Sequence, residues 1–314
     1  MHCFNVMACT RMTRRNALKL LAGIPLAMRM NVSRAADLLR RPVPASGELL
    51  PAVGLGTWQV FDVAGEAEEL GQARAALSRF VELGGAVVDS SPMYGASESV
   101  LGELAAALAV HKRLFLATKV WTSGREAGIR QMEQSVARMQ VALKGPLDLM
   151  QVHNLVDANT HLATLRDWKT AGRVRYVGIT HYHEGAYPEL ERAVRAGGID
   201  FVQINYSLAE RAADRRLLGL AAEARIAVIV NRPFAQGALF RRVAGKPLPG
   251  WAAEFGCASW AQFFLKWILA HPAVTCTIPG TRNVKHIDDN LGAATGALPD
   301  AATRRKMAAH VDGL

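Results

Sequence analysis

Short apolar runs rich in β-branched residues alternate along the chain with longer stretches in which apolar positions recur every three or four residues. The short runs have the length and composition of buried strands, and they cover residues 52–56, 86–89, 114–119, 148–152, 174–180, 201–205, 226–231 and 274–278. The longer stretches have the period of amphipathic helices, and they cover residues 67–83, 97–109, 128–143, 160–171, 187–196, 215–224 and 259–270, with further helices beginning near Val284 and Asp300.

This alternation of strand and helix predicts an α/β fold with one closed parallel sheet, the TIM (β/α)8 barrel. Ahead of the first strand, residues 42–51 hold Ala-Ser-Gly between two short extended pieces, which predicts an N-terminal β-hairpin that plugs the bottom of the barrel. We therefore expect one domain over residues 36–314. No uninterrupted apolar run reaches the ~18–20 residues that a membrane-spanning helix needs, so stable membrane insertion is not expected.

Composition indicates a globular protein whose positive charge is concentrated at the N-terminus. The chain has 314 residues, of which 50% are hydrophobic, and a net charge of +10 at pH 7. In the first 41 residues Asp37 is the only acidic residue, beside seven arginines and one lysine, whereas the remainder is nearly balanced. Nucleic-acid binding is therefore not expected. The four cysteines have no spacing typical of a disulfide framework or a metal site.

Residues 1–35 resemble a twin-arginine export signal. They contain the pair Arg14-Arg15, an apolar stretch over residues 20–28, and then Ser33-Arg34-Ala35, a small-x-small cleavage pattern. Met12 stands where such signals usually begin. The resemblance implies recognition by the twin-arginine export machinery, which moves folded proteins, and a periplasmic location. The alternative is a merely basic amphipathic N-terminus on a cytoplasmic protein.

In a barrel of this kind, residues at the carboxyl ends of the strands face the active site. Asp89, Lys119 and His153 stand at the ends of three neighbouring predicted strands, and Tyr94 follows Asp89 by five residues. A lysine that ends an apolar strand needs an acidic partner, and Asp89 is the nearest candidate. The Lys119 ammonium is expected to lower the pKa of Tyr94 and so make the phenol a general acid. With His153 donating a hydrogen bond to a substrate oxygen, the set suits proton transfer to a carbonyl while a cofactor supplies hydride.

Five segments resemble motifs of the aldo-keto reductases, namely GGAVVDSSPMYGASE (84–98), ATKVW (117–121), DLMQVHN (148–154), VQINYS (202–207) and IPGTR (278–282). The resemblance covers the chain from Arg41 to Leu291 and implies reduction of a small aldehyde or ketone with NADPH as cofactor. It implies that Tyr94 is the catalytic acid and that Lys119 and Asp89 tune its pKa. It also implies that His153 orients the carbonyl group.

The same resemblance implies a set of cofactor-binding residues: Thr180, His181, Gln203, Asn231, Thr281, Arg282, His286, Asp289 and Asn290. Arg232 joins the predicted set as a cation that could reach the cofactor. Arg282, Lys285 and His286, at the start of a predicted helix, form a phosphate site by charge, which favours NADPH over NADH. Three positions depart from the family, because His181 replaces the usual Asn, Asn231 replaces the aromatic nicotinamide platform, and His286 stands where many members have Arg.

Several alternatives remain at the level of sequence. Asn231 leaves room for a non-catalytic nicotinamide-binding redox sensor or partner-binding module, and an unrelated barrel hydrolase or aldolase is a third reading. Trp58 and Trp121 are expected to line an apolar substrate pocket, with packing at the barrel rim as the alternative. Arg232 either reaches the cofactor pyrophosphate or pairs with a neighbour. His181 and His183 lack a third ligand within reach, which favours a cofactor-edge or surface role over a metal site.

Overall fold

The computed structural model of the protein describes residues 38–63, 65 and 67–314, and the predicted export segment, residues 1–35, lies outside the described residues. An antiparallel hairpin opens the described chain, with strands β1 (Arg40–Pro42) and β2 (Leu49–Pro51). Eight parallel strands follow, each paired with the next in chain order: β3 (Leu55–Gly56), β4 (Val87–Asp89), β5 (Phe115–Val120), β6 (Leu147–His153), β7 (Val174–Thr180), β8 (Phe201–Asn205), β9 (Ala227–Asn231) and β10 (Val274–Thr277).

Helices occupy the connections between these strands and the end of the chain. They are α1 (Ala67–Glu82), α2 (Ser97–Ala107), α3 (Arg125–Arg138), α4 (Ala158–Thr170), α5 (Tyr187–Ala196), α6 (Leu217–Glu223), α7 (Ala238–Arg242), α8 (Trp260–Leu269), α9 (Val284–Gly292) and α10 (Ala301–Asp312). Among the described helices, none combines the length and apolarity that crossing a bilayer requires. The strand and helix order confirms the predicted (β/α)8 barrel and its N-terminal hairpin.

The barrel closes where its first strand meets its last. Parallel bridges join Val53 to Thr277 and Gly56 to Gly280, so that β3 lies beside β10 in a nearly closed sheet. A Cβ atom added at Gly56 would lie 2.8 Å from the carbonyl oxygen of Ile278, which is closer than real side chains come. Glycine at position 56 is therefore what lets the two strands approach at this seam.

Two apolar layers hold the barrel together. Side chains alternate along each strand, so that in β5 Phe115 and Ala117 join the layer inside the barrel, while Leu116 joins the layer between strands and helices. The hairpin contributes Val43 and Leu50 to the inner layer and thereby closes the bottom of the barrel, as predicted. Apolar side chains fill the lower interior of the barrel. The polar side chains therefore gather at the opposite end, where the strands terminate.

The structure shortens or shifts several predicted elements. Residues 52–54 were predicted to belong to the first strand, but only Leu55–Gly56 forms regular pairs and Val53 makes a single bridge. Helix α3 begins three residues before the predicted start and ends at Arg138, because Gln140 adopts a left-handed backbone conformation. The predicted strands over residues 174–180 and 201–205 have the observed bounds.

Candidate active site

Tyr94 lies in the short loop between β4 and α2, at the carboxyl end of the barrel. Its backbone N–H donates to the Ser91 backbone carbonyl oxygen at 3.1 Å, which folds the loop into a tight turn. Gly95 follows with φ of +57°, and a Cβ atom there would overlap the carboxylate of Asp62. That carboxylate accepts a 2.9 Å hydrogen bond from the Ala96 N–H at the start of α2. The Tyr-Gly sequence thus fixes the position of the phenol, because only glycine leaves room for this contact.

A buried ion pair lies beneath the phenol. Lys119 at the end of β5 donates from Nζ to Asp89 Oδ2 at 2.6 Å and to the Ser90 carbonyl oxygen at 2.6 Å, and both charged side chains are buried. Burial acts to lower the pKa of Lys119, but Asp89 and Tyr94 act more strongly together and raise it above the ordinary lysine value. Lys119 therefore remains an ammonium ion, and its predicted pairing with Asp89 is present.

The second oxygen of Asp89 is held by two glutamine side chains. Gln151 and Gln203 donate to Oδ1 at 3.1 and 2.9 Å. The Gln203 carbonyl oxygen accepts from Thr180 at 3.2 Å and from Asn231 at 3.4 Å. Sequence reasoning missed Gln151, although it occupies an inward position between Leu149 and His153 on β6. A polar residue in that alternation was the available signal.

The pKa of Tyr94 moves in the direction opposite to the sequence prediction. Burial raises the pKa of the phenol above its ordinary value, and the lowering effect of Lys119, 5.0 Å from the ring centroid, does not cancel this effect. The prediction that Lys119 brings the pKa of Tyr94 below its ordinary value is therefore wrong for the protein alone, because the loss of hydration outweighs the cation. Tyr94 is protonated at neutral pH and holds a proton to give.

His153 faces Tyr94 across the mouth of the barrel, with ring centroids 6.0 Å apart in an edge-on arrangement. Burial, together with the charges of Lys119 and His181, lowers the pKa of His153 to about 2, so its ring is neutral. Its Nδ1 atom lies 3.1 Å from Ser91 Oγ. A neutral imidazole carries one N–H and can donate one hydrogen bond.

A cleft of about 660 Å³ opens above Tyr94 and His153. Its lining divides into two halves. The half beside β3, β4 and β5 is apolar and presents Trp58, Met93 and Trp121, of which the two tryptophans are 45% and 42% exposed. The half beside β7, β8 and β9, the polar half, presents Thr180, Gln203, Asn231 and Arg232 together with Pro233 and Phe234. The predicted pocket residues therefore do line a common space.

His181 was predicted to bind the cofactor, but it does not line the cleft. Its ring stacks on Tyr182 with centroids 5.3 Å apart. Its Nδ1 accepts the Tyr182 backbone N–H at 2.9 Å, and burial and His183 lower its pKa to about 4. Among the described residues no group of three or more metal-ligating side chains comes together. Tyr182, which the sequence analysis did not single out, lines the cleft instead.

Arg232 is engaged with neighbouring groups. It donates to the Tyr182 carbonyl oxygen at 2.8 Å and to Gln236 at 3.3 Å, and Glu210 lies 3.7 Å away. Its Nε atom and the Oδ1 atom of Asn231 are enclosed and have no hydrogen-bond partner within the described part of the chain. The polar half of the cleft therefore holds a donor and an acceptor that these residues leave unsatisfied.

The predicted phosphate site at the start of α9 carries less free charge than the sequence suggests. Arg282 pairs with Glu69 of α1 and also donates to Gln72 at 3.1 Å. Thr281 lies 3.3 Å from His286 Nδ1, so these two side chains are adjacent. Glu69 was missed because no sequence pattern connects residues on α1 and α9.

Asp289 and Asn290, the last two predicted cofactor residues, lie on α9 itself. Asp289 accepts from Ser259 at 2.8 Å and from Gln262 at 2.8 Å, which ties α9 to α8. Asn290 is buried. Asp289 thus already serves the packing of two helices in the protein alone.

Known proteins resemble this chain in sequence and in structure. The model of the aldo/keto reductase family matches residues 52–306. Methylglyoxal reductase YeaE of Escherichia coli (strain K12) is 27% identical over 270 residues, which is 83% of this chain and 92% of that protein. Aldo-keto reductase yakc [NADP(+)] of Schizosaccharomyces pombe is 26% identical over 301 residues, covering 82% and 87%. A crystal structure of an aldo-keto reductase from Klebsiella pneumoniae in complex with NADPH superposes with a TM-score of 0.72 at 23% identity, covering 87% and 95% of the two chains.

Proposed function

The chain belongs to the aldo/keto reductase family, and we propose that it catalyses the NADPH-dependent reduction of an aldehyde or ketone to an alcohol. One observation carries the proposal. A protonated, half-buried Tyr94 lies over the Lys119–Asp89 ion pair and opens to a cleft shared with His153. This arrangement delivers a proton to an oxygen atom and stabilises the negative charge left behind.

Each residue has a distinct task in this proposal. Tyr94 donates its proton to the carbonyl oxygen, and the ammonium of Lys119 stabilises the phenolate that remains. His153 donates a hydrogen bond from its neutral ring and holds the carbonyl oxygen near the phenol. Asp89, fixed by two glutamines, keeps Lys119 charged and in place. When bound, NADPH supplies the hydride that reduces the carbonyl carbon.

The polar half of the cleft fits a nicotinamide cofactor. Thr180, Gln203 and Asn231 supply hydroxyl and amide groups suited to a carboxamide, and Asn231 Oδ1 and Arg232 Nε are the unsatisfied atoms there. Arg282, with Lys285 and His286, lies at the start of α9 and suits a phosphate. The relative named as an NADP(+) enzyme supports NADPH as the dinucleotide.

The apolar half of the cleft suits the substrate. Trp58, Met93 and Trp121 line the cleft together with Tyr94, and Trp121 lies 6.5 Å from His153 between ring centroids. Such a wall favours a small carbonyl compound with an apolar substituent. The relative named methylglyoxal reductase adds α-oxoaldehydes to the substrates that deserve testing.

The test is NADPH consumption with a panel of aldehydes and diketones, run beside the Tyr94→Phe variant. We expect turnover by the natural protein and a loss of roughly a hundred- to ten-thousand-fold in the variant, the usual contribution of a general acid. Tyr187→Phe is the matched control, because Tyr187 does not line the cleft and its hydroxyl donates to the Asn205 carbonyl oxygen at 2.7 Å. Full activity in Tyr94→Phe contradicts the mechanism. Binding of NADPH without turnover of any carbonyl favours the redox-sensor alternative.

We also propose that residues 1–35 direct export by the twin-arginine pathway to the periplasm. The paired arginines, the short apolar stretch and the small-x-small site support this proposal. In cell fractionation we expect a shortened protein in the periplasm, and retention in the cytoplasm when Arg14 and Arg15 are both replaced by Lys. A full-length cytoplasmic protein in both cases contradicts export.

A further inference from the structure

We infer that Ser91 is a positioning residue that holds the His153 ring with its proton on Nε2, the nitrogen available to a substrate. This inference rests on the proposed function. Ser91 Oγ lies 3.1 Å from His153 Nδ1, and Ser91 is fully buried. The other ring nitrogen, Nε2, makes no hydrogen bond with a described residue, and His153 lines the cleft.

The direction of the Ser91–His153 hydrogen bond follows from the other neighbour of the hydroxyl. The backbone N–H of Met93 donates to Ser91 Oγ at 3.4 Å. An N–H group can only donate, so this contact occupies one of the two lone pairs of Oγ and offers no acceptor for the hydroxyl proton, which a buried hydroxyl needs. Within the described residues, His153 Nδ1 is the one acceptor in hydrogen-bond reach of that proton. Ser91 therefore donates and Nδ1 accepts.

A neutral imidazole that accepts a hydrogen bond at Nδ1 can exist in only one tautomer. Burial and the charge of Lys119 lower the pKa of His153 to about 2, so the ring does not take a second proton at neutral pH. The one proton must then reside on Nε2. In the opposite tautomer, Nδ1–H would point at Ser91 and a bare lone pair would face the carbonyl oxygen, which it repels. Ser91 thus selects the tautomer that serves as a hydrogen-bond donor.

Removal of the hydroxyl has a specific expected effect. In Ser91→Ala nothing donates to Nδ1, so both tautomers become populated and part of the population presents the wrong nitrogen. We expect kcat/KM for carbonyl reduction to fall in proportion to the lost Nε2–H fraction, about twofold when the two tautomers are equally populated. Ser97→Ala is the matched control, since Ser97 is equally buried but its hydroxyl donates to the Thr57 carbonyl oxygen at 3.3 Å.

The deciding measurement is the tautomer itself, read from long-range proton–nitrogen correlations of the full chain labelled with ¹⁵N-histidine. The chain has nine histidines, and His153→Gln identifies the signals of interest. We expect a protonated Nε2 and a hydrogen-bonded, unprotonated Nδ1 in the natural protein, the same pattern in Ser97→Ala, and averaged nitrogen shifts in Ser91→Ala.

Two results overturn the inference. One is a protonated Nδ1 in the natural protein, which needs no variant and so decides the question even if Ser91→Ala does not fold. The other is an unchanged tautomer in a folded Ser91→Ala. The outcome is separable from that of the proposed function, because the spectrum requires no turnover. Absence of reductase activity with an Nε2–H ring refutes the function, whereas turnover with an Nδ1–H ring refutes the role of Ser91.

Discussion

Replacing Lys119 with methionine removes the buried charge while keeping a side chain of similar length. Lys119→Met breaks the 2.6 Å contact with Asp89 and leaves a carboxylate enclosed without its cation. Losing one partner of a buried pair costs about 3–5 kcal/mol. Because Gln151 and Gln203 still donate to Asp89, we expect the lower end, a fall of about 3 kcal/mol in the free energy of unfolding.

The assay is urea unfolding followed by tryptophan fluorescence, with Lys119→Met, Asp89→Asn and the double variant compared. The double variant removes both charges, so we expect it to recover at least half of the stability that Lys119→Met loses. Carbonyl reduction should be lost in all three, because none retains the charged pair beneath Tyr94. If the double variant loses as much stability as the two single variants together, Lys119 and Asp89 are not coupled and the prediction is refuted. Full turnover in the double variant would refute the catalytic role of the cation.

Two further predictions concern pH and cofactor choice. The pKa of His153 is lowered from 6.5 to about 2 in the folded protein, so the unfolded chain binds the extra proton and stability falls as pH drops below 6.5. From pH 6.5 to about 4.5 the natural protein should lose about 2 kcal/mol more than His153→Gln, and equal losses in urea titrations contradict this. Glu69→Gln should free Arg282 from its ion pair and tighten NADPH binding about two- to fivefold relative to NADH. Fluorescence titration checks this, and an equal gain for both dinucleotides argues against a 2′-phosphate contact at Arg282.

The strands and the main polar residues of the site could be predicted because both depend on local pattern. Short apolar runs between helical stretches mark β5 and β6, and the barrel topology brings the residues at the strand ends together. Asp89, Lys119 and His153 are therefore predictable as neighbours without knowing any contact. The hairpin over residues 42–51 was predictable for the same reason, since its turn residues are adjacent in sequence.

What failed depends on contacts between distant segments. The direction of the Tyr94 pKa shift was mispredicted because burial is a property of the folded molecule and outweighs the Lys119 charge. Arg282 was taken as a free cation because Glu69 lies 213 residues away in the chain. Ser91 was read only as part of a motif, and its role depends on the facing ring of His153, 62 residues further on.

The seam at Gly56 has a consequence for the order of folding. β3 is the first barrel strand to be synthesised and β10 is the last, so their bridges join segments of very large sequence separation. Contacts of that kind form late, because the entropy of the intervening chain must be lost before the contacts between the two strands can stabilise the fold. Until β10 emerges, the free edge of β3 has no partner on one side. Release of a complete chain is therefore the step that ends its exposure to aggregation.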